Sequence, residues 1–180
     1  MNATPNDDLT DGLNTWALTR LDALRGEADR LVRLYWGWAD LQRKARPRSQ
    51  WGRLGVRVRD QRNERSLPGA FGVEWFETYW VQGHQGRRAV HTRYLRRGKG
   101  LRYSRATLSR VAKPWELAMA DEFEDHFALI RGLLHSIAQV RKVLRKHQAL
   151  ERSTLQAKYA LYDAADNRQQ SRDMTDGPWE

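Results

Sequence analysis

Apolar residues recur every three or four positions through the first part of the chain, from residue 16 to about residue 41. Charged residues fall between them, so the pattern predicts an amphipathic helix with one solvated face. We expect this helix to end before Pro47, in a short basic connector. The apolar positions of the predicted helix are Leu21, Leu24, Ala28, Leu31, Tyr35, Trp38 and Leu41.

The repeat then shortens to two residues, which is typical of β-strands. Apolar and cationic residues alternate over residues 54–58, and alternation returns over residues 90–94. Between them, residues 71–81 are rich in aromatic and β-branched types and predict a central strand. Residues 101–104 allow a fourth short strand. Because the connections are short, an antiparallel meander is the simplest arrangement.

A second helical pattern follows Pro114. Proline suits the first position of a helix, and acidic residues cluster in the turns that follow it. The apolar repeat predicts a helix of about 30 to 37 residues. Its apolar positions are Met119, Phe123, Phe127, Ile130, Leu134, Ile137, Val140 and Leu144.

These elements predict an α+β fold, in which a small antiparallel β-meander of three or four strands packs with a long N-terminal and a long C-terminal amphipathic helix. Residues 1–13 are expected to form a flexible acidic leader. Residues 14–152 are expected to form a single domain, with the basic meander at about residues 50–104. Residues 153–180 are expected to be a frayed helix and a disordered tail.

The charge of the chain is concentrated in the predicted meander. Residues 43–110 hold eighteen of the 32 Lys and Arg residues but only four of the 22 Asp and Glu residues, a net charge of +14. The flanking segments carry −3 and −1, so the basic character is regional. A block of this kind attracts polyphosphates through counterion release, and Arg forks onto phosphate oxygens and guanine edges. Nucleic acid is therefore the leading predicted partner.

The candidate nucleic-acid-binding residues lie on the strands and turns of this basic region. If the apolar sides of the first and third strands face the helices, Arg57 and Arg59 share the opposite side of the sheet with His91 and Arg93. The Gly-Lys-Gly turn at residues 98–100 lets backbone amides approach a phosphate. The full set is Arg53, Arg57, Arg59, Arg62, Arg93, Arg96, Arg97, Lys99, Arg102 and Arg105.

Four aromatic residues of the central strand have two interpretations. Exposed aromatic rings can stack on unpaired bases, whereas residues of this kind more often belong to a core. The residues concerned are Trp75, Phe76, Tyr79 and Trp80.

The sequence gives little support for catalysis, so we expect no enzyme, cofactor or metal. The chain has no cysteine, which excludes thiol nucleophiles and thiolate zinc sites. Glu122 and His126 can share a helical face, but two ligands do not complete a zinc site. Tyr159 and Tyr162 invite comparison with the nucleophilic tyrosines of relaxases, yet no two histidines are separated by a single residue, as the metal site of those enzymes requires.

The N-terminal segment lacks the basic start and apolar stretch of a signal peptide, and no run approaches the roughly 18 apolar residues that span a bilayer. We therefore expect a cytoplasmic protein with no membrane partner.

The chain resembles the MobI-type conjugative transfer proteins of integrative conjugative elements and plasmids, over about residues 36–150. The resemblance rests on the order and spacing of short segments. These are Leu-Gly-Val-Arg-Val-Arg at 54–59, Gly-Val-Glu-Trp-Phe at 72–76, residues 94–103, and Trp-Glu at 115–116 followed by a long charged helix.

This resemblance implies a non-enzymatic accessory factor that helps a relaxase engage or process the origin of transfer. The implied partners are duplex or partly unwound DNA at that origin and a relaxase or other conjugation proteins, and a homo-oligomer stays open. Two alternatives also stay open. One is a helical protein-interaction adaptor of a conjugation complex, and the other is a general basic module that binds RNA or single strands.

Overall fold

The computed structural model describes residues 5–61, 68–82 and 88–173, with side chains over residues 10–61, 68–82 and 88–164. The chain is α+β, as predicted from the two periodicities. Its elements are α1 (Pro5–Lys44), a 3-10 turn (Arg48–Gln50), β1 (Leu54–Asp60), β2 (Phe71–Gln82), β3 (Arg88–Tyr94), α2 (Arg105–Ser109) and α3 (Pro114–Asp173).

Residues 101–104, which the sequence allows as a fourth short strand, do not form one, and the described residues contain one sheet of three strands. The backbone N–H of Tyr103 donates instead to the Glu124 carboxylate, over 2.7 Å, so it is not available to a strand partner. The next residue, Ser104, caps α2 by accepting from the Thr107 N–H over 3.1 Å. A helix N-terminus therefore follows where we expected a strand.

Helix α3 is 60 residues long and continues through the polar segment in which we expected a frayed helix and then disorder. Residues 133–173 contain neither Gly nor Pro and are rich in Ala, Leu, Gln, Arg and Lys. These residue types favour a helix without needing an apolar face. The division of the chain into leader, domain and tail stays a prediction.

The sheet has the order β1-β2-β3, with both pairs antiparallel. Its long central strand pairs with β1 through residues 71–77 and with β3 through residues 76–82. The three strands therefore overlap at only two positions of β2, Phe76 and Glu77. Residues 78–82 and 88–92, which we call the β2–β3 ribbon, form a two-stranded extension beyond β1.

The core lies where α1 and the first part of α3 pack with β1 and β2. Tyr35 of α1 stands at its centre, with its ring edge-on to Trp75 at 5.1 Å and to Phe123 at 5.7 Å. The predicted inward positions of α1 are confirmed from Leu21 to Tyr35, whereas Leu41 is 65% exposed. The buried core residues of α3 end at Ile137.

The chain divides into two units, residues 1–137 and residues 138–180. The first contains the sheet and the core. In the second, every described residue belongs to α3.

Two side chains of α1 cover the outer edge of β1. The Tyr35 hydroxyl donates to the Leu54 carbonyl over 3.2 Å, and the Trp36 indole N–H donates to the Val56 carbonyl over 2.9 Å. An uncovered strand edge is a template for pairing with another chain, so these bonds protect the sheet.

The start of β1 is fixed by a buried carboxylate at the start of α3. Glu116 is fully buried and accepts the backbone N–H groups of Arg53, Leu54 and Lys113 over 3.0 to 3.2 Å. Burial raises the pKa of Glu116, and these three donors act against that rise. Gly52 lies against the same carboxylate, so close that a Cβ there would stand 1.7 Å from it.

Gly52→Ala is therefore expected to destabilise the protein by about 2 to 4 kcal/mol, because the methyl group must displace a buried carboxylate that accepts three backbone N–H groups. Urea unfolding followed by tryptophan fluorescence measures the loss. Gly26→Ala is the matched control: it lies within α1 with open space at its Cβ. That change should add up to about 1 kcal/mol of stability. Equal stability of the two variants would contradict this assignment.

Candidate nucleic-acid interface

The arginines of the sheet lie on two faces, not on the single face that the sequence predicts. Arg57 is directly opposite Glu74, whereas Arg93 is directly opposite Glu77. Two residues three apart on one strand point to opposite sides of the sheet. Arg57 and Arg59 therefore lie on the same face of the sheet as Val90, and Arg93 lies on the opposite face. All seven residues of β3 are exposed, so the alternation along this strand did not indicate which side faces the helices.

The two carboxylates of β2 pair with all four predicted arginines of the sheet region. Glu74 accepts the Arg57 Nε over 2.7 Å, and the Arg59 guanidinium lies 3.7 Å away. Glu77, which is buried, pairs with Arg53 at 3.3 Å and with Arg93. The arginines of these pairs are partly or largely exposed, and each carboxylate competes with a phosphate for the same guanidinium.

Two further predicted arginines pair with acidic residues of α3. Arg105 Nη1 lies 2.6 Å from an Asp121 carboxylate oxygen, and Arg102 pairs with Asp125. Arg62 lies outside the described residues. Three of the ten predicted residues are therefore left without an ion-pair partner in the described part of the chain: Arg96, Arg97 and Lys99.

These three cations lie in one short segment after β3, residues 96–99, which we call the basic loop. Gly98 has a φ of 87°, in the left-handed region that favours glycine. The Nε of Arg97 is buried and has no hydrogen-bond partner, the one such side-chain atom found among the described residues.

A buried ion pair anchors the segment that follows the basic loop. The Arg131 guanidinium meets both carboxylate oxygens of Glu124, at 2.7 and 3.1 Å, and both residues are almost completely buried. Arg131 also donates to the Leu101 carbonyl over 2.8 Å and to the Val73 carbonyl over 3.0 Å. Its Cζ lies 5.0 Å from the centre of the Tyr103 ring.

Glu124 completes the network from the other side. It accepts the backbone N–H of Tyr103 over 2.7 Å and the indole N–H of Trp75 over 2.6 Å. Ahead of the basic loop, the Leu95 N–H donates to the Trp75 carbonyl over 3.0 Å. Both ends of the loop are therefore tied to β2, and the far end is tied to α3 as well.

This network was not predicted from the sequence, in which the acidic residues around Glu124 were interpreted only as a cluster in the first turns of a helix. The sequence does contain a signal for this network, because five residues of α3 follow helical steps of four, four, three and four. The structure buries all five. They are Glu116, Ala120, Glu124, Phe127 and Arg131. Two carboxylates and a guanidinium within a buried stripe indicate a buried polar network.

The four candidate stacking residues fall into two groups. Trp75 and Phe76 are buried, which confirms a core position for both. Tyr79 is half-buried and lies 6.0 Å from His91, ring centre to ring centre. Trp80 is 66% exposed, so it can contact a ligand outside the core.

Two further observations concern other kinds of site. Over the described ranges, no three His, Asp or Glu side chains are grouped so that they could hold a metal ion. No described helix combines the length and the apolar character needed to cross a membrane.

A family model described as MobI protein matches residues 24–145, about two thirds of the chain. The matched region contains the whole sheet, the basic loop and the buried ion pair. No curated protein and no solved structure matches the chain.

Replacing Arg131 tests whether the buried ion pair is required. Arg131→Met is expected to cost about 3 to 5 kcal/mol of unfolding free energy, because Glu124 is left buried without a cation. The double variant Glu124→Gln with Arg131→Met removes that stranded charge and should be more stable than Arg131→Met alone. Urea unfolding gives both values. A loss below about 1 kcal/mol for the single variant would rule out this role.

Proposed function

The chain belongs to the MobI protein family, and on that premise we propose that it is a non-enzymatic DNA-binding accessory factor of conjugative transfer. Membership of the family implies a role in mobilisation and conjugative transfer. In the proposal, the protein binds duplex or partly unwound DNA at an origin of transfer. It thereby helps a relaxase, or another protein of the conjugation machinery, to engage that DNA.

The observation that carries the proposal is the unpaired charge of the basic loop. Arg96, Arg97 and Lys99 have no ion-pair partner in the described part of the chain, although most other predicted cations do. Release of counterions from DNA favours phosphate binding at such cations.

The basic loop is proposed to contribute affinity and position on the DNA, and not recognition of its sequence. Contacts between side chains and phosphates set affinity and position on the DNA, whereas sequence is read at the base edges. The loop is therefore proposed to hold the DNA backbone. Selection of the origin rests on other contacts or on a partner protein.

A second candidate function, an adaptor that pairs through a helix, is favoured by the residues of α3 beyond residue 137. Val140, Val143, Leu150 and Leu161 occupy the first and fourth positions of a seven-residue repeat and are 37 to 70% exposed. Light scattering of the intact protein tests this candidate. A dimer supports pairing with a second copy, whereas a strict monomer that also fails to capture a relaxase contradicts it.

Neutralising the basic loop tests the leading proposal. The triple variant Arg96→Gln, Arg97→Gln and Lys99→Gln is expected to weaken binding to origin-region duplex by at least about tenfold, because up to three charge-assisted contacts are lost. The slope of log affinity against log salt should fall by up to about 2.7, since each phosphate contact contributes about 0.9. Fluorescence anisotropy between 50 and 200 mM salt measures both quantities.

The matched control removes the same formal charge from three exposed arginines that already have carboxylate partners. It combines Arg30→Gln, Arg59→Gln and Arg105→Gln. This variant should retain most of the affinity. Equal weakening by both triple variants would show that net charge, and not the loop, sets the affinity. No binding by the unchanged protein at low salt would overturn the proposal.

A further inference from the structure

The β2–β3 ribbon presents an unusual set of side chains to solvent. On the face that it shares with Arg57, the pairs along the ribbon are Thr78 with Thr92, Trp80 with Val90, and Gln82 with Arg88. Trp80 is 66% exposed and Val90 is 52% exposed, although they stand directly opposite each other. One apolar pair is thus flanked on both sides by residues that donate and accept hydrogen bonds.

The charge of the ribbon favours a polyanion over an acidic or neutral protein surface. Residues 78–82 and 88–92 contain no Asp or Glu, while Arg88 lies at the far end of the ribbon. The basic loop follows β3 directly at the near end. An apolar pair between two cationic ends suits a ligand that alternates negative charge with flat aromatic groups, which is the chemistry of a nucleic acid strand.

The dimensions of the ribbon fit the same ligand. Val90 lies four residues before Tyr94, so the Trp80 pair stands about 13 Å along the strand from the end of β3. Phosphates of one strand are spaced about 3.4 Å apart along the helix axis, so this distance corresponds to about four nucleotides.

We propose that Trp80 stacks on an unpaired base, so that the protein prefers partly unwound DNA over intact duplex. In a duplex the faces of the bases are covered by their neighbours, whereas an unpaired base exposes a face to an aromatic ring. The basic loop holds phosphates of the same strand, about four nucleotides from this base. This inference rests on the proposed function, because it names the form of DNA that the same surface prefers.

The test compares two fluorescein-labelled DNAs of one origin-region sequence, one fully paired and one with a central bubble of about six mismatched positions. The intact protein is titrated into each at fixed salt, and anisotropy reports binding. Aromatic stacking on a base corresponds to a preference for the bubble on the order of tenfold. Trp80→Ala should abolish this preference and leave the affinity for paired DNA unchanged. Trp80→Phe should retain part of it.

Trp16→Ala is the matched control, since Trp16 is also exposed, at 48%, but lies on α1. It should keep the preference for the bubble. Urea unfolding of each variant verifies that the fold is retained, which is expected because both rings are largely in solvent.

The outcomes separate this inference from the proposed function. Tight binding to paired DNA without any preference for the bubble overturns the inference and leaves the proposed function standing. No binding to either DNA overturns both. A Trp80→Ala variant that loses capture of a relaxase while binding both DNAs normally assigns the ribbon to a protein partner, and this also overturns the inference.

Discussion

The structure of the first unit depends on one buried ion pair, between Glu124 and Arg131 of α3. Neither charge is stable alone in an apolar core, so the two must stay together and their remaining hydrogen-bonding groups must find partners. Those partners are the Trp75 indole, the Val73 carbonyl, the Leu101 carbonyl and the Tyr103 N–H. One pair of side chains thereby joins α3, β2 and the segment after the basic loop. It fixes the position of the loop relative to the start of the β2–β3 ribbon.

The few carboxylates of the basic region decide where its charge is available. Glu74 and Glu77 stand between the arginines of the sheet and pair with four of them. The acidic turns at the start of α3 pair with Arg102 and Arg105. Among the ten predicted residues, this leaves Arg96, Arg97 and Lys99 of the basic loop without an ion-pair partner in the described part of the chain. The regional net charge predicts the class of partner, while the ion pairs show which of the predicted residues are already paired.

The parts of the fold that were predictable are those in which one face of an element is buried. The stripe from Leu21 to Tyr35 and the alternation at the start of β1 reflect that burial directly. The face of β3 was not predictable, because no residue of this strand is buried. Glu116, Glu124 and Arg131 were not predictable as buried groups from residue type alone, because, apart from the Glu124–Arg131 pair itself, their partners are backbone atoms or lie in segments more than twenty positions away. The candidate site was predicted as a set of ten cations; six of them have tertiary ion pairs, Arg62 lies outside the described residues, and three have no ion-pair partner in the described part of the chain.

Amide hydrogen–deuterium exchange of the intact protein, with and without partly unwound origin DNA, tests whether the basic loop and the β2–β3 ribbon bind that DNA. We expect slower exchange in the presence of DNA at residues 96–99 and along residues 88–92, with no change on the solvated face of α1. Unchanged exchange at both segments, with slower exchange confined to α1 or to residues 138–173, would contradict it.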